Sequence, residues 1–203
     1  MTSAAPDMGP VAGILLAAGA GTRFGGAKLL APLPAASHGV AAHTSIGAAA
    51  CLHLLAAVPR VLAVVRPRDV ALREQLRKTG CEVIECDRAH EGMGVSLAAG
   101  IAATADAAGW IIALADMPWI APATIEGVAA RLRAGASIVA PVHDGRRGHP
   151  VGFAAPWYTE LVALTGDEGA RSIVARHAAA IQTFEVDDRG VLRDVDRRED
   201  LPA

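Results

Sequence analysis

The sequence predicts an α/β fold with a mainly parallel central sheet. Three observations carry that prediction: short apolar runs alternate with longer helical patterns, glycines follow directly on the first of those runs, and 45 alanines stand against three Phe, three Trp and one Tyr. Alternating strands and helices mark βαβ units. Alanine forms helix well and buries little area, so it suits helices packed closely on a sheet rather than an aromatic-rich binding module or a β-sandwich. Small side chains inflate the hydrophobic fraction of 52%, which still argues against intrinsic disorder. A length of 203 residues fits one medium-sized domain.

The elements follow in order. Residues 11–17 read as a strand that feeds the glycine-rich stretch 19–26. Residues 44–57 are apolar, end before Pro59 and read as a helix; residues 60–65 are a second buried strand. Residues 68–79 carry Val70, Leu72 and Leu76 at helical spacing, and Gly80 is a natural stop. Residues 82–85 give a third strand. After Gly92 and Gly94, residues 96–103 read as a helix with Ser96 near its start, where a hydroxyl can take up a free backbone amide. The continuous apolar run 110–115 reads as a strand that stops at Asp116. A helix is expected over 122–134, strands over 137–141 and 150–153, helices over 160–164 and 169–177, and a strand over 181–186. The final stretch, 191–201, is short and charged. No internal repeat or linker divides the chain, so residues 1–10 read as a short disordered leader and 11–203 as a single domain.

Composition removes several function classes. A formal net charge of -2, from 19 basic and 21 acidic residues, lacks the basic footprint of non-specific nucleic-acid binding. Only two of the basic residues are lysines, Lys28 and Lys78. Cys51, Cys81 and Cys86 make an odd count without CxxC spacing, which suits buried thiols in a reducing cytoplasm. The first ten residues lack a basic region followed by an apolar one, and no window reaches the roughly 18 apolar residues of a membrane span. A soluble cytoplasmic protein with no nucleic-acid or membrane partner is expected.

In an open parallel sheet the ligand sits beyond the carboxyl ends of the strands, so the residues just after strands carry the chemistry. The first such place is residues 15–30, where Gly19, Gly21, Gly25 and Gly26 can bring backbone amides to phosphate oxygens and Arg23 and Lys28 add positive charge. Leu29 after Lys28 excludes a Walker-type loop, and the third glycine falls one place late for a GxGxxG dinucleotide fingerprint. A glycine-rich surface turn is the bland alternative. The second place is Asp116, a carboxylate behind a buried apolar run and thus a natural magnesium ligand in a phosphate site, or else a cap for the turn before Pro118. The third is the acidic tail, where Asp194 and Asp196 share a face if extended; it is either a solvated tail or the source of a second metal carboxylate. Together these features describe magnesium-assisted transfer to or from a nucleoside triphosphate.

The stretch LLAAGAGTRFGGAKLLAPL resembles the N-terminal signature of the nucleotidyltransferases that attach a nucleotide to molybdopterin. Further blocks match in order: EGMGVSLAAG at 91–100, ALADMPWI at 113–120, GRRGHPVGF at 145–153, GDEGAR at 166–171 and DVDRREDL at 194–201. The AAG form at Ala17 to Gly19, with GHPVGF and GDEGAR, is more similar to the molybdenum cofactor cytidylyltransferases than to the guanylyltransferases. Departures include Phe24, where the family often has Met, and Arg197 and Arg198, where it often has Thr-Pro.

The resemblance implies a Rossmann-like three-layer sandwich of the nucleotidyltransferase type, joining CMP from CTP (or GMP from GTP) to molybdopterin with release of pyrophosphate. It implies that Ala17, Ala18, Gly19, Ala20 and Gly21 lie along the nucleotide and that Arg23 and Lys28 hold its triphosphate. Asp116 takes Mg2+, helped by Asp194 or Asp196, so that Arg23, Lys28 and Asp116 are the catalytic set. Gly92, Met93, Gly94 and Ser96 read the base or ribose, and His149 and Pro150 lie at the acceptor end. The acceptor is already an anion, so charge neutralisation and alignment suffice without a general base. A molybdenum hydroxylase or its maturation chaperone is an implied protein partner. Two other functions compete: an NAD(P)H-dependent oxidoreductase of the nicotine-blue type on the same fold, and a non-catalytic chaperone that delivers molybdenum cofactor.

Overall fold

The run Ala12–Leu16 forms the strand (β1) from which the sheet grows in both directions. The structure is a computed structural model, and it describes residues 9–19, 21 and 24–201. The expected leader falls largely outside the described residues; Gly9, at its end, already bridges to Ala107. On one side β1 pairs parallel with Arg60–Val65 (β2), which pairs parallel with Glu82–Glu85 (β3). On its other side it pairs parallel with Gly109–Leu114 (β4). The chain therefore reverses its direction of strand addition between β3 and β4, and the carboxyl ends of β1 and β4 lie side by side at that switch point.

Beyond β4 the sheet becomes mixed. Ile138–His143 (β5), Arg146–Arg147 (β6), Val151–Ala154 (β7) and Ile181–Glu185 (β8) complete eight strands among the described residues. The strand β7 lies antiparallel between β4 and β5, while β8 runs parallel to β5. The short β6 was not expected from the sequence; the two-residue turn Asp144–Gly145, both at positive φ, folds it back on β5.

Helices cover both faces. Ile46–Ala57 (α1), Val70–Lys78 (α2) and Pro122–Arg133 (α4) pack on one face through Leu54, Leu76 and Val128. Met93–Ala102 (α3), Tyr158–Val162 (α5) and Arg171–Arg176 (α6) pack on the other through Leu97, Leu161 and Ile173. The alanine-rich composition has its expected use in α1, where Ala48, Ala49 and Ala50 are all buried. Local signals set the helix starts: the Ser45 hydroxyl accepts from the Ala48 amide, and Pro122 begins α4. The expected helix at 96–103 starts one turn earlier, at Met93, because Gly92 supplies the turn at φ +126; Ser96 is therefore a buried residue of the first turns and not the cap. The three cysteines are buried and free, as expected. Among the described residues no helix is long and apolar enough to cross a membrane.

Candidate active site

Two loops meet at the switch point. After β1 the chain keeps one more sheet bond, from the Ala17 amide to the Val64 carbonyl, and then turns through Gly21 at φ +58 and Gly25 at φ +76. The Phe24 amide donates to the Gly21 carbonyl and the Lys28 amide to the Gly26 carbonyl, so this loop closes on itself. Lys28 opens a single 3-10 turn whose Leu29 and Leu30 pack on the core and fix the base of its side chain. After β4, the Ala115 amide donates to the Leu16 carbonyl, and Asp116 follows beside the first loop.

The Lys28 ammonium donates to Asp116 Oδ2 at 2.7 Å and lies 3.7 Å from Asp196 Oδ1. Carboxylate oxygens of Asp116, Asp194 and Asp196 all lie within 4.8 Å of one another. The acidic tail is therefore folded back onto the end of β4. A direct bond from the Val195 amide to the Asp116 carbonyl, 2.9 Å, holds the two segments together. Asp188 joins them again: its Oδ2 accepts from the Ala121 amide at 2.9 Å and the Thr124 hydroxyl at 2.6 Å, and its Oδ1 from the Gly190 amide at 2.9 Å. Sequence reasoning missed Asp188, since an aspartate pair just after a strand carries no sign of what it will cap.

His149 stands on the same side as the tail, its amide donating to the Val191 carbonyl at 2.9 Å. Burial holds its imidazole below the usual histidine pKa, against the opposing pull of Asp116 and Asp194, and its Nδ1 is buried without a hydrogen-bond partner among the described residues. Burial thus favours the neutral form of the imidazole beside Asp116 and Asp194.

The first loop opens onto a cleft of about 830 Å3. Of the residues expected at the nucleotide, Ala17, Ala18, Gly19 and Gly21 line it from the loop after β1, Lys28 and Asp116 from the switch point, and Gly92, Met93 and Ser96 from the start of α3. Gly94 differs: its amide donates to the Gly166 carbonyl at 2.7 Å, and a Cβ there would meet the Thr165 carbonyl oxygen at 2.6 Å. Its glycine serves the close packing of the 165–167 turn and does not face the cleft. Asp194, Asp196, His149 and Pro150 do not themselves line the cleft, although Asp196 lies 3.7 Å from the Lys28 ammonium that does. Ala20 and Arg23 lie outside the described residues.

Arg66, Arg68, His90 and Asp167 line the cleft without having been expected there. The Arg66 guanidinium is tied to Asp69, Nε to Oδ2 at 2.8 Å, whereas Arg68 is exposed. The signal was available for both arginines: they directly follow the buried strand β2, at the same carboxyl edge that singled out Gly19 and Asp116. The GDEGAR block gains a place as well, since Gly166 supports Gly94 and Asp167 faces the cleft.

Chemically, the site offers backbone amides and one ammonium on one side and three oxygen ligands at the switch point. Hard carboxylate oxygens in this number suit a divalent cation such as magnesium or manganese, and the spacing of Asp116, Asp194 and Asp196 fits one.

A family model described as the MobA-like NTP transferase domain matches residues 13–181. No curated protein sequence matches the chain. Among solved structures, Rv0371c from Mycobacterium tuberculosis superposes with a TM-score of 0.80 at 25% identity, covering 94% of each chain. A complex of that protein with manganese gives a TM-score of 0.76 at 25% identity over 95% of this chain and 96% of the other. A nucleotidyl transferase from Methanothermobacter thermautotrophicus shares the fold, with a TM-score of 0.77 at 19% identity over 96% of this chain and 94% of the other.

Proposed function

The chain belongs to the MobA-like NTP transferase domain family, a nucleotidyltransferase family, and on that premise we propose that it transfers CMP from CTP to the terminal phosphate of molybdopterin, releasing pyrophosphate. One observation carries the reading: the glycine loop after β1, the Lys28 ammonium and the carboxylates of Asp116, Asp194 and Asp196 converge at the switch point of the sheet. The AAG, GHPVGF and GDEGAR blocks support CTP and a molybdopterin acceptor by resemblance, and the manganese complex of Rv0371c supports a divalent metal.

In this reading the CTP phosphates lie along Ala17 to Gly21, where backbone amides and Lys28 neutralise their charge. Gly92, Met93 and Ser96 border the base and ribose. Asp116, Asp194 and Asp196 hold Mg2+, which when bound supplies charge neutralisation at phosphate oxygens. The acceptor phosphate enters from the side of His149 and Pro150 and attacks the α-phosphorus in line with departing pyrophosphate. No side chain needs to remove a proton, since the nucleophile is already an anion. What this chain contributes is alignment and fixed charge.

The test is release of pyrophosphate by the purified chain with Mg2+, from CTP, GTP or ATP, with and without molybdopterin. Release is expected from CTP only when molybdopterin is present, and Asp116→Asn is expected to lower its rate by about 100-fold or more. No release with any nucleotide and acceptor overturns the proposal. A preference for GTP replaces CMP transfer with GMP transfer.

A further inference from the structure

We propose that Lys28 is an exchangeable counter-cation, its ammonium and a divalent metal ion competing for the same carboxylate oxygens, so that metal entry releases Lys28 toward the nucleotide phosphates. The proposal rests on the metal-binding part of the reading above.

The geometry supplies the competition. Lys28 Nζ lies 2.7 Å from Asp116 Oδ2 and 3.7 Å from Asp196 Oδ1, and those two aspartates are two of the three whose oxygens cluster within 4.8 Å. A divalent ion takes such oxygens at about 2.0–2.6 Å. An ammonium in hydrogen-bond contact with Asp116 would then stand in like-charge contact with the ion, and the two cannot both keep their place among the same oxygens.

The geometry also supplies somewhere for Lys28 to go. Its backbone is fixed, the Lys28 amide bonding to the Gly26 carbonyl and the Lys28 carbonyl to the Ala31 amide, so only the side chain moves. The stem runs directly beside the glycine loop: a Cβ on Gly21 would sit 3.4 Å from Lys28 Cβ. One flexible four-carbon stem therefore reaches both the carboxylates and the cleft in which phosphates are expected. The nearby Arg66 is held by Asp69 and has no such choice. Affinities linked through one side chain are linked reciprocally, so phosphates that draw the ammonium away favour metal entry, and the metal favours phosphate binding.

The experiment uses Mn2+ alone, without nucleotide, on the purified full chain. Free Mn2+ is measured by electron paramagnetic resonance against wild type, Lys28→Met and Lys28→Gln, each checked by thermal unfolding. Removing the ammonium is expected to tighten Mn2+ binding on the order of 10-fold in both variants, and adding Asp116→Asn to abolish the gain. Equal or weaker binding by both variants, or a gain that survives Asp116→Asn, overturns the proposal. A second readout exploits the presence of only two lysines. Amine acylation followed by mass spectrometry should show Mn2+ raising the labelling of Lys28 relative to the exposed Lys78; unchanged relative labelling overturns the exchange. Neither measurement needs CTP or molybdopterin, so failure of cytidylyl transfer and failure of this exchange are separate results.

Discussion

The loop after β1 and the segment running from Asp188 to Asp200 both bring charge to Asp116, yet contacts of different range hold them in place. Within the loop the backbone bonds are short in sequence: Phe24 to Gly21, Lys28 to Gly26, Leu30 to Ala27 and Ala31 to Lys28. In the carboxyl segment they reach across the chain. Asp188 takes donors from Ala121 and Thr124, 67 and 64 residues away, and Val195 bonds to Asp116 itself. Arg193 lies over the Trp119 ring at 3.7 Å, and Gly190 slides beneath the Trp119 carbonyl so closely that a Cβ would meet its oxygen at 2.1 Å. One wall of the site is thus a local turn, and the other is a strap fastened to the residues that follow Asp116.

Three substitutions sharpen that contrast. The largest effect is expected from Gly190→Ala, because the atom in its way is backbone and cannot rotate aside; about 2–3 kcal/mol of stability should be lost in urea unfolding. Asp188→Ala should cost about 2 kcal/mol, since it leaves the Ala121 and Gly190 amides and the Thr124 hydroxyl without their acceptor. It should also weaken Mn2+ binding although Asp188 is no member of the carboxylate cluster. Unchanged Mn2+ affinity in a folded Asp188→Ala protein would show that the strap holds its carboxylates without this fastening. The smallest effect belongs to the loop. At Gly25→Ala nothing among the described residues lies within 4 Å of the new Cβ, and the positive φ of +76 opposes it, which costs about 1 kcal/mol. A loss at Gly25 as large as that at Gly190 would break the contrast.

The same contrast explains what could be read in advance. The strands 60–65 and 82–85 matched their expected spans, since buried runs and their bounding turns are local patterns. Asp116 stood out for the same reason, lying just past the end of an apolar strand, and Lys28 stood out as one of only two lysines, placed in the glycine-rich stretch. The start of α3 was misplaced by one turn because Ser96 looked like a cap, while the actual turn was made by Gly92 against Gly166 and Asp167, which only folding brings there. Gly94 resembled a ligand-facing glycine, but its neighbour is the 165–167 turn. Arg66 and Arg68 obey the strand-end rule, following β2 at the carboxyl edge of the sheet. Asp188 was not legible as a fastening, because two of its three donors, Ala121 and Thr124, meet it only in the closed structure.

By itself the sequence determined the α/β pattern, the glycine loop, the scarcity of lysine that made Lys28 conspicuous, and the presence of carboxylates after β4 and in the tail. Periodicity, strand ends and residue rarity are properties of neighbours along the chain. The tertiary structure decided that Asp194 and Asp196 both reach Asp116, that Lys28 contacts two of these three, and that His149 borders the cluster with a lowered pKa. Those relations depend on where the carboxyl segment crosses the switch point. Burial and hydrogen bonds between residues far apart in sequence fix that crossing, and no local pattern encodes it.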